Sequence, residues 1–438
     1  LALVQSAIHE GEKGGHRDEE EPGKQAAIER AVVLASYSPA AVVLRFAEMP
    51  HPKVLVEPEQ EKFMAAVGFV DVSGFTKLSE KLQKDHGREG SEMLNVFINA
   101  YFAKLIEGIN KYAGDVIKFA GDALQVVWRN RSTSHQQDTE TKLMLRSAAC
   151  CLHLLKELNN FSPAEGVSLT LHMGVGVGEM SAFYVGGCGG KWEYFVAGEP
   201  IEQMSDAAEE ATSGELCISS TAYERFLDSE ESNSFELRGR LLGSGQYLLE
   251  GIEASHGSSS SFVGDSAVEK LEAPSSLKEL LKEKLTLRGT ELLPMLRSFV
   301  PHLVEERVDA GQIGLANHEH RKLVSVFFKV VGLGPKPCDV EQTTLVHQAT
   351  LGTQRAIQKY GGTITRLITD DKGTRFLIAF GLPGHQHEDD EMRAVLSSLD
   401  ILAALNEIPA WDAKSYLVSS LKVAIGITTG QVFCGEAG

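Results

Sequence analysis

Residues 69–82 read FVDVSGFTKLSEKL. An apolar run of strand type ends on a carboxylate, Asp71; Ser73, Gly74, Phe75 and Thr76 form a turn, and a helical pattern starts straight after. A strand that carries an aspartate to its tip, beside the amides of a helix start, sets an acid next to an anion-binding position. Asp122 has a similar setting, after Gly121 in a hairpin turn between DVIKFA and ALQVVW. If these strands are neighbours in one sheet, both carboxylates emerge at one edge. Such an oxygen-only pair suits Mg2+ or Mn2+, which keep water and take substrate phosphates as their remaining ligands. Two such ions held roughly 4 Å apart activate an attacking oxygen and stabilise a leaving one. Asp71 and Asp122 are therefore candidate metal ligands, and Gly74 would let the backbone approach the phosphates. Singly, each acid has a structural reading, Asp71 as a helix N-cap worth about 1 kcal/mol and Asp122 as a turn former. Together with their surroundings they point to phosphoryl or nucleotidyl transfer.

The rest of the chain sets the limits. Its 438 residues, 43% hydrophobic, are enough for two or three cores, and no run approaches a membrane span. A formal net charge of -18 excludes a general nucleic-acid binder, so a phosphate ligand must be held locally. Cysteines 150, 151, 188, 217, 338 and 434 show neither metal-type pairing nor a secreted framework, which predicts reduced thiols in a cytoplasmic protein. Residues 1–26 are predicted to be a disordered tail and 27–61 a lead-in segment. A first α+β domain follows over 62–225, a linker with a helical segment over 226–320, and a second domain over 321–438. In the first domain the pattern predicts strands at 63–71, 115–119, 123–128, 168–175 and 193–197, with helices over 76–111 and 141–159.

The second half repeats the first at an offset near 250 residues. KYAGDVIKFAGDALQVVW (111–128) lines up with KYGGTITRLITDDKGTRFLIAFG (359–381), and LHMGVGVGEM (171–180) with VAIGITTGQV (423–432). Asp71 then falls opposite Lys329, and Asp370 and Asp371 occupy a turn expected to be two residues longer than the one holding Asp122. Lys118 reads as a solvent lysine and His172 as a structural histidine. GVGVG at 174–178 lacks the dinucleotide fingerprint.

FVDVSGFTKLSEKL, GREGSEMLNVFINAYFAKLI, GDVIKFAGDALQVVW, RKLVSVFF, DKGTRFLIAFGLPG and VAIGITTGQVFCG together resemble the class III nucleotidyl cyclases, in particular the soluble, bicarbonate-responsive adenylyl cyclase group. The resemblance implies two tandem ferredoxin-like (βαββαβ) catalytic domains, packed as a pseudo-twofold pair. It implies conversion of ATP to cyclic AMP and pyrophosphate with two Mg2+ or Mn2+ ions. Asp71 and Asp122 match the metal-binding aspartates, Val72 a backbone carbonyl ligand, and Gly74, Phe75 and Thr76 the triphosphate-binding turn. Arg366 stands where an adenine-reading lysine is usual, and Lys118 matches a lysine of a bicarbonate site. Ser205 replaces the arginine of that anion site and Thr369 an apolar residue near it, which implies a weakened response to bicarbonate. The asparagine and arginine that stabilise transition-state charge would lie beyond Gly438, so the second domain is expected to be C-terminally incomplete. Glu202 and Asp206 occupy the equivalent helix of the first domain and cannot replace them. Guanylyl cyclase activity, or a non-catalytic nucleotide- or anion-sensing module, are the alternatives.

Overall fold

The computed structural model describes residues 22–87, 89–130, 138–255, 271, 276–312, 319–331, 340–370, 373–412 and 417–434. Of the expected disordered tail 1–26, residues 1–21 lie outside them, as do Cys338 and Asp371, whereas residues 22–26 are helical. In chain order the first half comprises helices α1 (Pro22–Ala35) and α2 (Ala40–Glu48), β1 (Glu59–Ser73), α3 (Phe75–His86), α4 (Glu89–Lys111), β2 (Asp115–Ala120), β3 (Ala123–Arg129) and α5 (Glu140–Leu158). There follow β4 (Phe161–Ala164), β5 (Val167–Cys188), β6 (Lys191–Ala197), α6 (Glu199–Glu210), β7 (Leu216–Ile218), α7 (Ser220–Leu227), β8 (Phe235–Leu241) and β9 (Tyr247–Ala254). Helices α8 (Leu277–Ser298) and α9 (His302–Asp309) lead to β10 (Glu319–Val331), α10 (Val340–Tyr360), β11 (Thr363–Asp370), β12 (Gly373–Phe380), α11 (Asp390–Asn406), β13 (Pro409–Asp412), β14 (Leu417–Ser420) and β15 (Lys422–Cys434).

Both halves carry the same antiparallel core order, β2-β3-β1-β5 in the first and β11-β12-β10-β15 in the second. This is the βαββαβ arrangement, twice, in an α+β protein. The first sheet continues through β7, β9 and β8, so it extends past residue 225. The predicted helix over 76–111 is two helices, because the chain turns at Gly87 with φ 59°.

Strand β1 is central, and its middle reads as an unbroken apolar run because helices cover both faces. Ala66, Val70 and Val72 face α3, α4 and α5, in a core with Leu78, Leu105 and Leu154. Ala65 and Val67 face the opposite way, into a cluster with Leu34 of α1, Phe46 of α2 and Leu292 of α8. The lead-in and the linker helix thus form the second helical layer over the same sheet. With both faces packed, β1 is held firmly at the end where Asp71 sits.

Beyond Gly178, β5 runs on as an arm paired with β6. Phe183, Val185, Phe195 and Ala197 of that arm share a core with Val326, Phe328, Phe376 and Phe380 of the second sheet. Polar contacts add to this: Gly186 N donates to His347 Nδ1 (3.2 Å), and Cys188 N to Gln354 Oε1 (3.1 Å). Gln354 Nε2 donates to Lys191 O (3.0 Å) and Glu193 Oε1 (3.3 Å). Burial pushes the Glu193 carboxyl up to about 7, against the Gln354 bond and the nearby Lys191 charge. Between about pH 4.5 and 7 the folded chain therefore keeps a proton there that the unfolded chain releases. The stability this contributes is complete below that window and is lost as pH rises through it. Between pH 5 and 8 the parent should lose about 1–3 kcal/mol more unfolding free energy than Glu193→Gln, read from urea midpoints. Equal slopes for the two proteins would contradict it.

Candidate active site

In register, Asp71 faces Ala123 of β3 on one side and His172 of β5 on the other. The strands are therefore neighbours, and Asp122, one residue before Ala123, reaches the same sheet edge. Asp122 is exposed, whereas the Asp71 side chain is only 23% exposed. Desolvation raises the Asp71 carboxyl above its usual range; His172 pulls it down, Asp122 pushes it up and the Val72 amide pulls it down. The Asp122 charge is thus felt at Asp71. His172 Nε2 lies 3.1 Å from Asp71 Oδ2.

Val72 points its side chain into the core, at 0% exposure, which leaves only its backbone for a ligand. Gly74 takes φ 114°, and a Cβ there would stand 2.6 Å from Ser168 O, so no other residue fits without a shift. Helix α3 starts at Phe75 without a side-chain cap, leaving the orphan amides of its first turn to another acceptor. Phe75 is a core residue packed on Tyr101 and Phe102, with ring centroids 6.2 and 5.9 Å away. It anchors the turn, while Thr76 is exposed.

Two carboxylates and a backbone carbonyl are hard oxygen donors of the type that Mg2+ and Mn2+ accept. Among the described residues no three His, Cys, Asp or Glu side chains converge to hold a metal unaided. The donor set fits an ion that keeps water and substrate phosphate among its ligands, rather than a closed structural site.

The second half has lost this set. Lys329 pairs with Ala424 as Asp71 pairs with His172, at matching places in the repeat. Lys118 faces Gln125 and Arg366 faces Leu377, each directly after a register shift in its strand pair. Six residues separate Lys118 from Gln125, but ten separate Arg366 from Leu377. The second hairpin is thus longer by four residues, not two, because both strands extend. The place of Asp122 is then taken by Thr374, whose hydroxyl hydrogen-bonds that of Thr369 at 3.0 Å.

Lys118 and Arg366 line one cavity of about 370 Å³ between β2, β6 and β11, together with Phe119, Glu193 and Thr369. Ser205 lies on α6 and is not part of this lining among the described residues. His172, which the sequence left as a structural residue, instead meets the candidate metal ligand. Its cross-strand partner depends on the β1–β5 register, which local sequence does not state.

Residues 57–251 match the family of adenylate and guanylate cyclase catalytic domains. This segment is similar to the class III cyclase domains. The match spans β1 to β9 and contains Asp71, Gly74 and Asp122. Across both halves, adenylate cyclase type 10 of Oryctolagus cuniculus is 23% identical over 439 residues, covering 95% of this chain and 24% of the relative. Adenylate cyclase type 10 of Homo sapiens is 24% identical over 386 residues, covering 87% of this chain and 23% of the relative. The chain thus spans about a quarter of the length of the curated relatives it matches. A class III adenylyl cyclase-like ATP-binding protein from Pseudomonas aeruginosa aligns with 93% of this chain and 87% of its own, at 13% identity and a TM-score of 0.48. Among the described residues, no helix is long and apolar enough to cross a membrane.

Proposed function

We propose that this chain is the catalytic core of an adenylyl cyclase, converting ATP to 3′,5′-cyclic AMP and pyrophosphate for signalling in the cytoplasm. The observation that carries the reading is the meeting of Asp71, Asp122 and the Gly74 turn at one sheet edge inside a cyclase domain. Asp71 and Asp122, with the Val72 carbonyl, would hold Mg2+ or Mn2+. Bound there, the ions lower the pKa of the ribose 3′-hydroxyl and neutralise charge on the departing pyrophosphate. The amides from Gly74 to Thr76 donate to the triphosphate oxygens and align the group for in-line attack on the α-phosphorus. Paired with the first domain, the second supplies recognition of the base through Arg366. Lys329 at the equivalent of Asp71 makes a second productive site chemically unsuitable, so one site per pair of domains does the work.

Lys118, which lines the same cavity as Arg366, would be the remaining part of a bicarbonate site. With serine at 205, bicarbonate would gain little there.

One observation favours a guanylyl cyclase instead. Arg366 presents a planar fork of donors, which matches the O6 and N7 acceptors of guanine better than the mixed edge of adenine. The test is cyclic nucleotide formation from ATP and from GTP by the protein, beside Arg366→Lys. The adenylyl cyclase reading expects cyclic AMP from the parent, and a rise of about tenfold in the ATP-to-GTP ratio of kcat/KM for Arg366→Lys, the effect of one purine-edge hydrogen bond. Cyclic GMP alone would move the assignment to guanine, and no cyclic product from either would overturn both readings.

A further inference from the structure

Metal-binding carboxylates are held by partners that fix which oxygen faces the ion, and loss of such a partner typically costs 10–100-fold in affinity. Here Asp71 lies directly opposite His172 across β1 and β5, and Nε2 of the imidazole meets Oδ2 of the carboxylate at 3.1 Å. The two side chains are similarly shielded, at 24% and 23% exposure. A further contact to this carboxylate comes from the Val72 amide, on its own strand. The histidine therefore provides the cross-strand restraint on how Asp71 points. The repeat supplies an independent observation: in the second sheet the same two register positions hold Lys329 and Ala424. Acid and imidazole are present together in one half and absent together in the other.

The strand pairing is the same in both halves, so the histidine goes with the acid and not with the register alone. We propose that His172 is a positioning residue for the divalent-cation site: it engages Asp71 Oδ2 and thereby presents Oδ1 to the ion. This inference rests on the reading of Asp71 as a metal ligand. It assigns His172 no contact with the ion or the nucleotide, and it makes affinity for the ion, rather than recognition of the base, the property that His172 controls.

Direct Mn2+ binding, followed by electron paramagnetic resonance on the whole chain without nucleotide, tests it. His172→Ala should weaken Mn2+ binding 10–100-fold, and His172→Gln, which keeps a side-chain donor, should recover a large part of that loss. Thermal unfolding of each variant accompanies the titration, so that a misfolded protein is not counted. Full Mn2+ affinity in a folded His172→Ala would overturn the proposal. So would equal losses in the Ala and Gln variants, because then the retained donor does nothing. Asp71→Asn separates the two levels of the account. If it leaves Mn2+ binding intact, the metal reading of Asp71 fails and this inference with it; if it abolishes binding while His172→Ala does not, only the role of His172 fails.

Discussion

Asp71→Asn is expected to lower cyclic nucleotide formation by about a thousandfold or more while leaving the fold intact. Loss of a metal-binding carboxylate removes several kcal/mol of transition-state stabilisation, and each 1.36 kcal/mol is a factor of ten in rate. Stability should stay the same or rise slightly, because desolvation already works against the Asp71 charge. The neutral amide can keep the neighbouring polar contacts without that charge. Rate measurements at saturating Mg2+ and Mn2+, with melting curves on the same samples, check both halves of the expectation. A variant that keeps a tenth of the parent rate would remove Asp71 from the chemistry. Lys329→Asn, at the equivalent place in the second half, should change the rate by less than a factor of about two, provided that half holds no metal of its own.

Gly74→Ala is the second large effect. Its cause is steric: the added carbon would stand 2.6 Å from Ser168 O on the neighbouring strand, at φ 114°, where an L side chain is strained. Backbone strain of this kind costs of order 1–3 kcal/mol. Relieving it must move the amides at the start of α3. Urea unfolding should show the loss of stability, and kcat/KM for the nucleotide should fall by about 10–100-fold, as expected when phosphate-positioning groups shift. Gly121→Ala is the control, since a Cβ at Gly121 meets nothing within 4 Å although φ is 71°. It tests the backbone conformation alone, without the clash.

These expectations draw on features of unequal visibility in the sequence. The strand that carries Asp71, the glycine turn and the Gly121-Asp122 hairpin are legible because each is a local pattern with its own chemistry. The repeat was legible too, and with it the exchange of Asp71 for Lys329. What the sequence did not yield depends on long-range register. The strand read over 168–175 runs from Val167 to Cys188, because its outer part gains its partners from β6 and from the second sheet. Its local pattern, broken by five glycines from 174 to 187, gives no sign of this. Helix α8 read as linker, since only the folded chain shows Leu285 and Leu292 packed behind β1. His172 was passed over for the same reason: its meaning lies in the residue opposite, fifteen-residue strand against twenty-two-residue strand, not in its neighbours.

Whether the edge carrying Asp71 and Asp122 cyclises a nucleoside triphosphate is read by following ATP with 31P NMR in the presence of Mg2+ and the protein. The account predicts that the resonances of pyrophosphate and of a cyclic phosphodiester grow together in equal amounts as ATP is consumed. ATP that remains intact at high protein concentration, or that decays to ADP and inorganic phosphate, would contradict it.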